Sequence, residues 1–90
     1  MNRRQRWRKV LEAEVQRWSA LPYDRLLSQL ATTDVYEVVD GPQRYQIEIE
    51  VLENTQENVH VALSVDDGSL PASLLPVTKS FITKKTDSDL

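Results

Sequence analysis

The sequence predicts an α+β fold, in which an N-terminal amphipathic helix and a short second helix pack on a three- to four-stranded antiparallel meander. A change in hydrophobic period supports this prediction. Apolar side chains recur every three to four residues up to Leu30, and about every second residue from Val35 onward. A helical half followed by a strand half favours an α+β domain over alternating βαβ units.

Two helices are predicted before the change of period. The first covers about residues 5–20, where one apolar stripe contains Trp7, Val10, Leu11, Val15, Trp18 and Leu21. The second covers about residues 22–30, because proline is well tolerated in the first turn of a helix. Ser19 and Leu21 are the alternatives for its cap region, and Leu26, Leu27 and Leu30 form its apolar side.

Four strands are predicted at residues 35–39, 44–52, 59–65 and 77–83. An antiparallel pairing of the second and third strands aligns their apolar side chains on one face. It places Ile49 opposite Leu63 and Val51 opposite Val61, and a one-residue slip would mix the two faces.

The first hairpin has two possible parities. Either Tyr36 and Val38 face the core, or Val35 and Val39 do, because the turn at 40–43 does not determine which. The first choice leaves two valines on the outer face, where apolar groups among glutamates can form half of a dimer interface.

Length and composition predict one domain over residues 1–83, followed by a disordered tail at 84–90. The absence of cysteine excludes disulfides, thiolate metal ligands and a cysteine nucleophile. No stretch resembles a signal peptide or an apolar membrane span, so a cytoplasmic protein without a membrane partner is expected.

Charge is distributed unevenly. Residues 1–18 contain six basic and two acidic side chains, whereas the remaining 72 contain five basic and twelve acidic ones. The basic arm consists of Arg3, Arg4, Arg6, Arg8 and Lys9. Such an arm can bind nucleic acid, but an acidic body is repelled by phosphates. An acidic protein surface is therefore the favoured contact, either the protein's own, that of a second copy or that of an acidic partner.

Glu14 is the most unusual position, because its place in the first helix falls inside the apolar stripe. A buried carboxylate without a partner is costly. The favoured interpretation is a structural acid that accepts a hydrogen bond from a Trp or Tyr side chain or pairs with a basic residue. The alternative is a general acid or base made reactive by burial.

Two further groups are candidates for binding. His60, the only histidine, shares the outer sheet face with Glu48 and Glu50, although one histidine and two glutamates form a poor metal site. Asp66 and Asp67 precede Gly68, which is typical of a turn; the acidic series and final glutamate of a calcium loop are missing. No metal or cofactor is predicted.

The sequence therefore predicts a small protein-interaction module that associates with itself, as a homodimer, or with a protein partner. No catalytic residue is assigned, since a nucleophile elbow, a glycine-rich phosphate loop and a convincing triad are all missing. The first alternative is a nucleic-acid-associated protein that uses the basic arm. The second is a small ligand binder or enzyme around Glu14 and His60.

Overall fold

A computed structural model describes residues 2–66, 68 and 77–85. In chain order the elements are the helices α1 (Arg3–Ser19) and α2 (Tyr23–Leu30) and the strands β1 (Val35–Asp40), β2 (Gln43–Asn54), β3 (Asn58–Asp66) and β4 (Val77–Lys84). The strands form one antiparallel sheet in the order β1-β2-β3-β4. The predicted α+β meander is thus confirmed.

Helix α1 begins at a capping box. The Asn2 side chain accepts a hydrogen bond from the Gln5 amide at 2.9 Å, and the Gln5 side chain accepts one from the Asn2 amide at 2.9 Å. The predicted stripe is confirmed, because Trp7, Val10, Leu11 and Trp18 are buried and Val15 and Leu21 pack against them.

Helix α2 differs from the prediction at its start. Its N-cap is Pro22, which makes no side-chain capping bond, so neither Ser19 nor Leu21 occupies that position. Proline can take this place because its φ is already close to the helical value and its missing N–H would be unpaired there in any case. Leu26 is the residue of α2 that is completely buried.

The register of β2 and β3 agrees with the prediction over most of its length. Ile49 lies opposite Leu63 and Val51 opposite Val61. A bulge then intervenes: Glu53 is the next residue to be paired, opposite His60, and Leu52 is the extra residue. The pairing predicted without a bulge was therefore wrong at this end of the sheet.

The structure also decides the parity of the first hairpin. Tyr36 and Val38 are half-buried against the core, whereas Val35 and Val39 are exposed. The turn places Gly41 at φ 61°, a left-handed conformation that glycine adopts without steric cost.

A single core lies between the helices and one face of the sheet. The core is one cluster of buried side chains. It contains residues of both helices and alternate residues of β2 and β3, among them Ile47 and Leu63. The opposite face, which we call the open face, carries the other alternate residues, and in the described part of the chain no helix packs on it. This one-sided arrangement is common for antiparallel sheets.

The end of the chain differs slightly from the prediction of a tail at 84–90. Lys84 belongs to β4, and the Lys85 amide donates a hydrogen bond to the Glu57 carbonyl at 2.8 Å. The rest of that predicted tail, together with Asp67 and residues 69–76, lies outside the described residues.

One buried hydroxyl leads to a stability prediction. Thr83 lies opposite Val59, and among the described residues its Oγ1 has no hydrogen-bond partner. Thr83→Val replaces this hydroxyl by a methyl group, so we expect the free energy of unfolding in urea to rise by about 1 kcal/mol. The control is Thr78→Val, because Thr78 is exposed and already bonded to Ser64. A destabilised Thr83→Val protein would contradict the prediction.

Candidate functional site

Glu14 belongs to a hydrogen-bonded cluster that joins α1 to β1. Its side chain is only 13% exposed, and its Oε1 accepts a 2.7 Å bond from the Tyr36 hydroxyl. The Arg17 guanidinium donates two bonds to the same oxygen, at 3.0 and 3.2 Å. Trp18 Nε1 donates to the Tyr36 oxygen at 2.7 Å. We call these four residues the Glu14 cluster.

The geometry confirms the prediction that Glu14 has a Tyr or basic partner. Arg17 follows it by three residues on one helix, a spacing at which side chains meet, so the sequence offered a signal for that pair. Tyr36 is 22 residues away, and nothing local to Glu14 indicates this contact. Its aromatic ring lies 6.0 Å from the Trp18 ring, so the hydroxyl and the ring both tie β1 to α1.

Electrostatics keeps the central hydroxyl of the cluster protonated. Burial raises the pKa of Tyr36 to about 12, and the hydrogen bond that it donates to the Glu14 carboxylate acts in the same direction. Tyr36 therefore remains a donor at neutral pH. Since Oε1 of Glu14 already accepts three bonds, the cluster is arranged as a structural tie rather than as a free base.

A pocket of about 280 Å³ opens beside this cluster, between α1 and β1. Its walls are formed by Lys9, Val10, Ala13, Glu14, Val38, Val39 and Asp40. We call it the β1 pocket. Glu14 Oε2 has no hydrogen bond among the described residues, so one acceptor of a pocket-lining carboxylate remains available.

The candidate residues on the open face are dispersed rather than convergent. Glu48 lies opposite Ser64 and Glu50 opposite Ala62. Because of the bulge, His60 has Glu53 as its partner on β2, and on β4 it lies opposite Ile82. The described residues contain no group of three or more potential metal ligands.

Apolar side chains are the more prominent feature of the open face. Ile82 is 62% exposed and Val39 is 61% exposed, and Leu52 and Val35 are about half exposed. Ile82 lies opposite His60 on β4, whereas on β2 the partner of His60 is Glu53, next to the unpaired Leu52. Leu52 and Ile82 thus lie towards one end of the sheet, whereas Val39, opposite Arg44, lies towards the other end.

The acidic loop begins as a turn, as the sequence predicts. The Gly68 amide donates a hydrogen bond to the Asp66 carboxylate at 2.8 Å, and Gly68 has a φ of 81°. Asp67 lies outside the described residues. The Asp66 carboxylate is thus used locally, to shape the chain as it leaves β3.

The basic arm forms the first two turns of α1, and its five cationic side chains are exposed. Arg3 and Arg6 line a groove of about 200 Å³ together with Trp7, Gln43 and Tyr45. Trp7 itself is only 3% exposed, and the Arg3 guanidinium lies 5.3 Å from the centre of its ring. Trp7 is therefore a core residue under a cation, and a base cannot stack on it in this conformation.

Comparison with known proteins found no matching family, no matching curated protein and no matching solved structure. Within the described residues, no helix combines the length and the apolar character needed to span a membrane. The fold and its surfaces define a small α+β protein with two helices on one face of an antiparallel sheet. No described helix covers the opposite face, and the β1 pocket lies along one edge.

Proposed function

We propose that this protein is a protein-interaction module that associates with a second copy of itself through the open face of its sheet. The main support is the exposure of four large apolar side chains on a sheet face that no described helix covers: Val35, Val39, Leu52 and Ile82. Apolar side chains exposed on a face among polar ones can mark a protein–protein contact. Association would remove these side chains from water.

The cross-strand pair His60 and Ile82, together with the exposed Leu52 on β2, would form the centre of the contact. Complete burial of one large aliphatic side chain contributes roughly 1.5–3 kcal/mol. Two such side chains from each copy would therefore supply a substantial part of a moderate association energy. His60, opposite Ile82, is itself half-buried.

Charges on the open face favour a dimer in which the strands of the second copy are rotated relative to those of the first, so that identical residues do not face each other. Glu48 and Glu50 lie near its middle, whereas Arg44 and Lys84 lie at opposite ends of β2 and β4. This rotation brings Arg44 and Lys84 of the second copy towards Glu48 and Glu50 of the first. Complementary charges of this kind set the register of an interface more than its affinity.

Sedimentation velocity tests the proposal. The weight-average sedimentation coefficient of the unmodified chain should rise between about 10 μM and 1 mM, as expected for a dissociation constant in the micromolar to millimolar range. Ile82→Glu places a charge in the centre of the proposed contact. We expect it to weaken association at least about tenfold, which corresponds to 1.4 kcal/mol or more.

Val51→Glu is the matched control. Val51 is an exposed aliphatic residue like Ile82, but it lies opposite Val61 on the helix-covered side of the sheet. It should leave the association constant unchanged, provided that circular dichroism shows the variant to be folded. A chain that sediments as a monomer at 1 mM would overturn the proposal, as would equal effects of the two substitutions.

A further inference from the structure

The outer edge of β1 presents backbone groups that the sheet does not use. The Ile49 amide donates to the Asp34 backbone carbonyl at 2.8 Å, which shows that the backbone groups of Asp34 are directed towards β2. Hydrogen-bonding direction alternates along an antiparallel strand, so Val35, Glu37 and Val39 direct their N–H and C=O groups outward. None of these groups has a backbone partner among the described residues.

The β1 pocket lies immediately inside this edge. A strand added beside β1 would direct alternate side chains towards α1, where Val10, Ala13 and Val38 form apolar walls. At about 280 Å³ the pocket is smaller than a typical small-molecule site and is suited to one long side chain.

Charge at this edge favours a basic occupant. Asp34 and Asp40 stand at the two ends of β1 and make no ion pair among the described residues. Glu14 and Asp40 both line the pocket, and Glu14 Oε2 makes no hydrogen bond with the described residues. Lys9 is the one cation among the lining residues described, and it is exposed to solvent.

The other edge of the sheet differs in charge. Strand β4 contains Lys79 and Lys84 and no acidic residue. Lysines on an edge strand discourage the addition of further strands, and here they would also repel a basic segment. The two edges of the same sheet are therefore matched in backbone geometry and opposite in charge.

We propose that β1 binds an extended basic segment of a partner protein, which adds as a fifth strand and inserts one lysine or arginine side chain into the β1 pocket. Main-chain hydrogen bonds to Val35, Glu37 and Val39 supply affinity, and the pocket supplies the preference for a side chain. The aliphatic stem lies on the valine walls, and the charged end donates to Glu14 Oε2 and Asp40. This site adjoins the open face at Val39, but it does not depend on self-association.

Two synthetic peptides test the proposal by NMR titration of the full chain. The probes are acetylated, amidated heptapeptides of sequence TVTKTVT and TVTETVT, which differ only in the central side chain. We expect the lysine peptide to bind at least about tenfold more tightly, which is the effect of 1.4 kcal/mol. Amide shifts should change along β1 and along the part of α1 that lines the pocket.

Three substitutions separate the edge from the pocket. Val39→Pro removes an outward N–H, so it should lower the affinity for both peptides at least about tenfold. The variant should still fold, because proline is tolerated at solvent-facing positions of an edge strand. Ser80→Pro makes the equivalent change on β4 and should leave binding unchanged. Glu14→Gln should reduce the ratio of lysine to glutamate affinity while the protein stays folded, because the amide oxygen still accepts the Tyr36 hydroxyl.

The proposal is overturned by any of three results. The first is an absence of shift changes at millimolar lysine peptide. The second is a set of changes centred on β4 or the open face. The third is an equal loss of affinity for the lysine peptide in Val39→Pro and Ser80→Pro, when both variants have the same unfolding midpoint as the unmodified chain. None of these results bears on whether the open face forms a dimer, because sedimentation without peptide measures that separately.

Discussion

Trp18→Ala is expected to lower the free energy of unfolding by about 4 kcal/mol. Trp18 is 2% exposed and belongs to the core between α1 and the sheet. Its removal leaves a large cavity and also takes away the Nε1 donor to Tyr36. Because a native domain has only about 5–15 kcal/mol of stability, this loss is a large fraction of the total.

Trp18→Phe separates packing from hydrogen bonding in this prediction. Phenylalanine keeps an aromatic ring in the core but loses the Nε1–H group, so we expect about half of the loss seen with alanine. Urea denaturation can be followed by circular dichroism and by the fluorescence of Trp7, which both variants retain. A loss below about 1 kcal/mol in Trp18→Ala would show that the ring is not part of a close-packed core.

Tyr36→Phe is expected to cost about 2 kcal/mol at pH 7. The substitution leaves the buried Trp18 Nε1–H without its acceptor and removes one of the donors to Glu14. Glu14 keeps its ion pair with Arg17, which limits the loss. Tyr23→Phe is the control, because the Tyr23 hydroxyl forms no hydrogen bond with the described residues and no comparable loss is expected.

The same hydroxyl makes stability depend on alkaline pH. Burial, followed by the bond to Glu14, raises the pKa of Tyr36 to about 12 in the folded state, whereas an unfolded tyrosine titrates near ~10. The folded protein thus holds this proton more tightly. The resulting stabilisation is complete below pH ~10 and is lost as pH rises from about 10 to 12. Because the group is only half-buried, we expect roughly 1–2 kcal/mol after solvent screening.

The pH effect is measured as a difference between two proteins. The stability advantage of the unmodified chain over Tyr36→Phe should shrink by that amount between pH 9 and 12, while lysine and arginine titration affects both proteins alike. Absorbance near ~295 nm reports the tyrosinate directly. A constant difference across this range would show that Tyr36 titrates identically in the folded and unfolded states.

The two proposed surfaces lead to different biological roles. Association through the open face would make the protein a self-assembling unit, whereas the β1 edge would make it a reader of basic extended segments. Val39 belongs to both surfaces, but the centre of the first, at Ile82 on β4, lies at the opposite edge of the sheet from β1. A dimer could therefore present two β1 edges, and avidity would then increase affinity for a repeated ligand.

Much of the fold could be predicted because it depends on periodicity alone. The stripe of α1 and the alternation in β2 reflect the burial of one face, and both are visible within a few turns or residues. The pairing of Ile49 with Leu63 followed from requiring two apolar faces to coincide. The bulge at Leu52 could not be predicted in this way, since only Glu53 and Asn54 follow it in β2 and no apolar residue reveals the shift of phase.

Lys79 makes a contact that the alternation of apolar residues in β4 does not predict. It occupies a core-face position on β4, opposite Leu63, where alternation would suggest an apolar side chain. Because β4 is an edge strand, the long side chain reaches out to Glu12 of α1 at 2.9 Å. The hydrogen bond and charge of Lys79 lower the pKa of Glu12. The two residues are 67 positions apart, and only the packing of α1 on the sheet brings them together.

By itself the sequence determined the class of fold, the composition of the core and the expectation that Glu14 has a partner, because each depends on local periodicity and on the cost of burying a charge. The tertiary structure alone decided that this partner is Tyr36, that Val35 and Val39 face outward, and that a pocket opens between α1 and β1. These features depend on how the helix crosses the sheet. That crossing is set by the summed packing of distant side chains, which no short segment of the chain encodes.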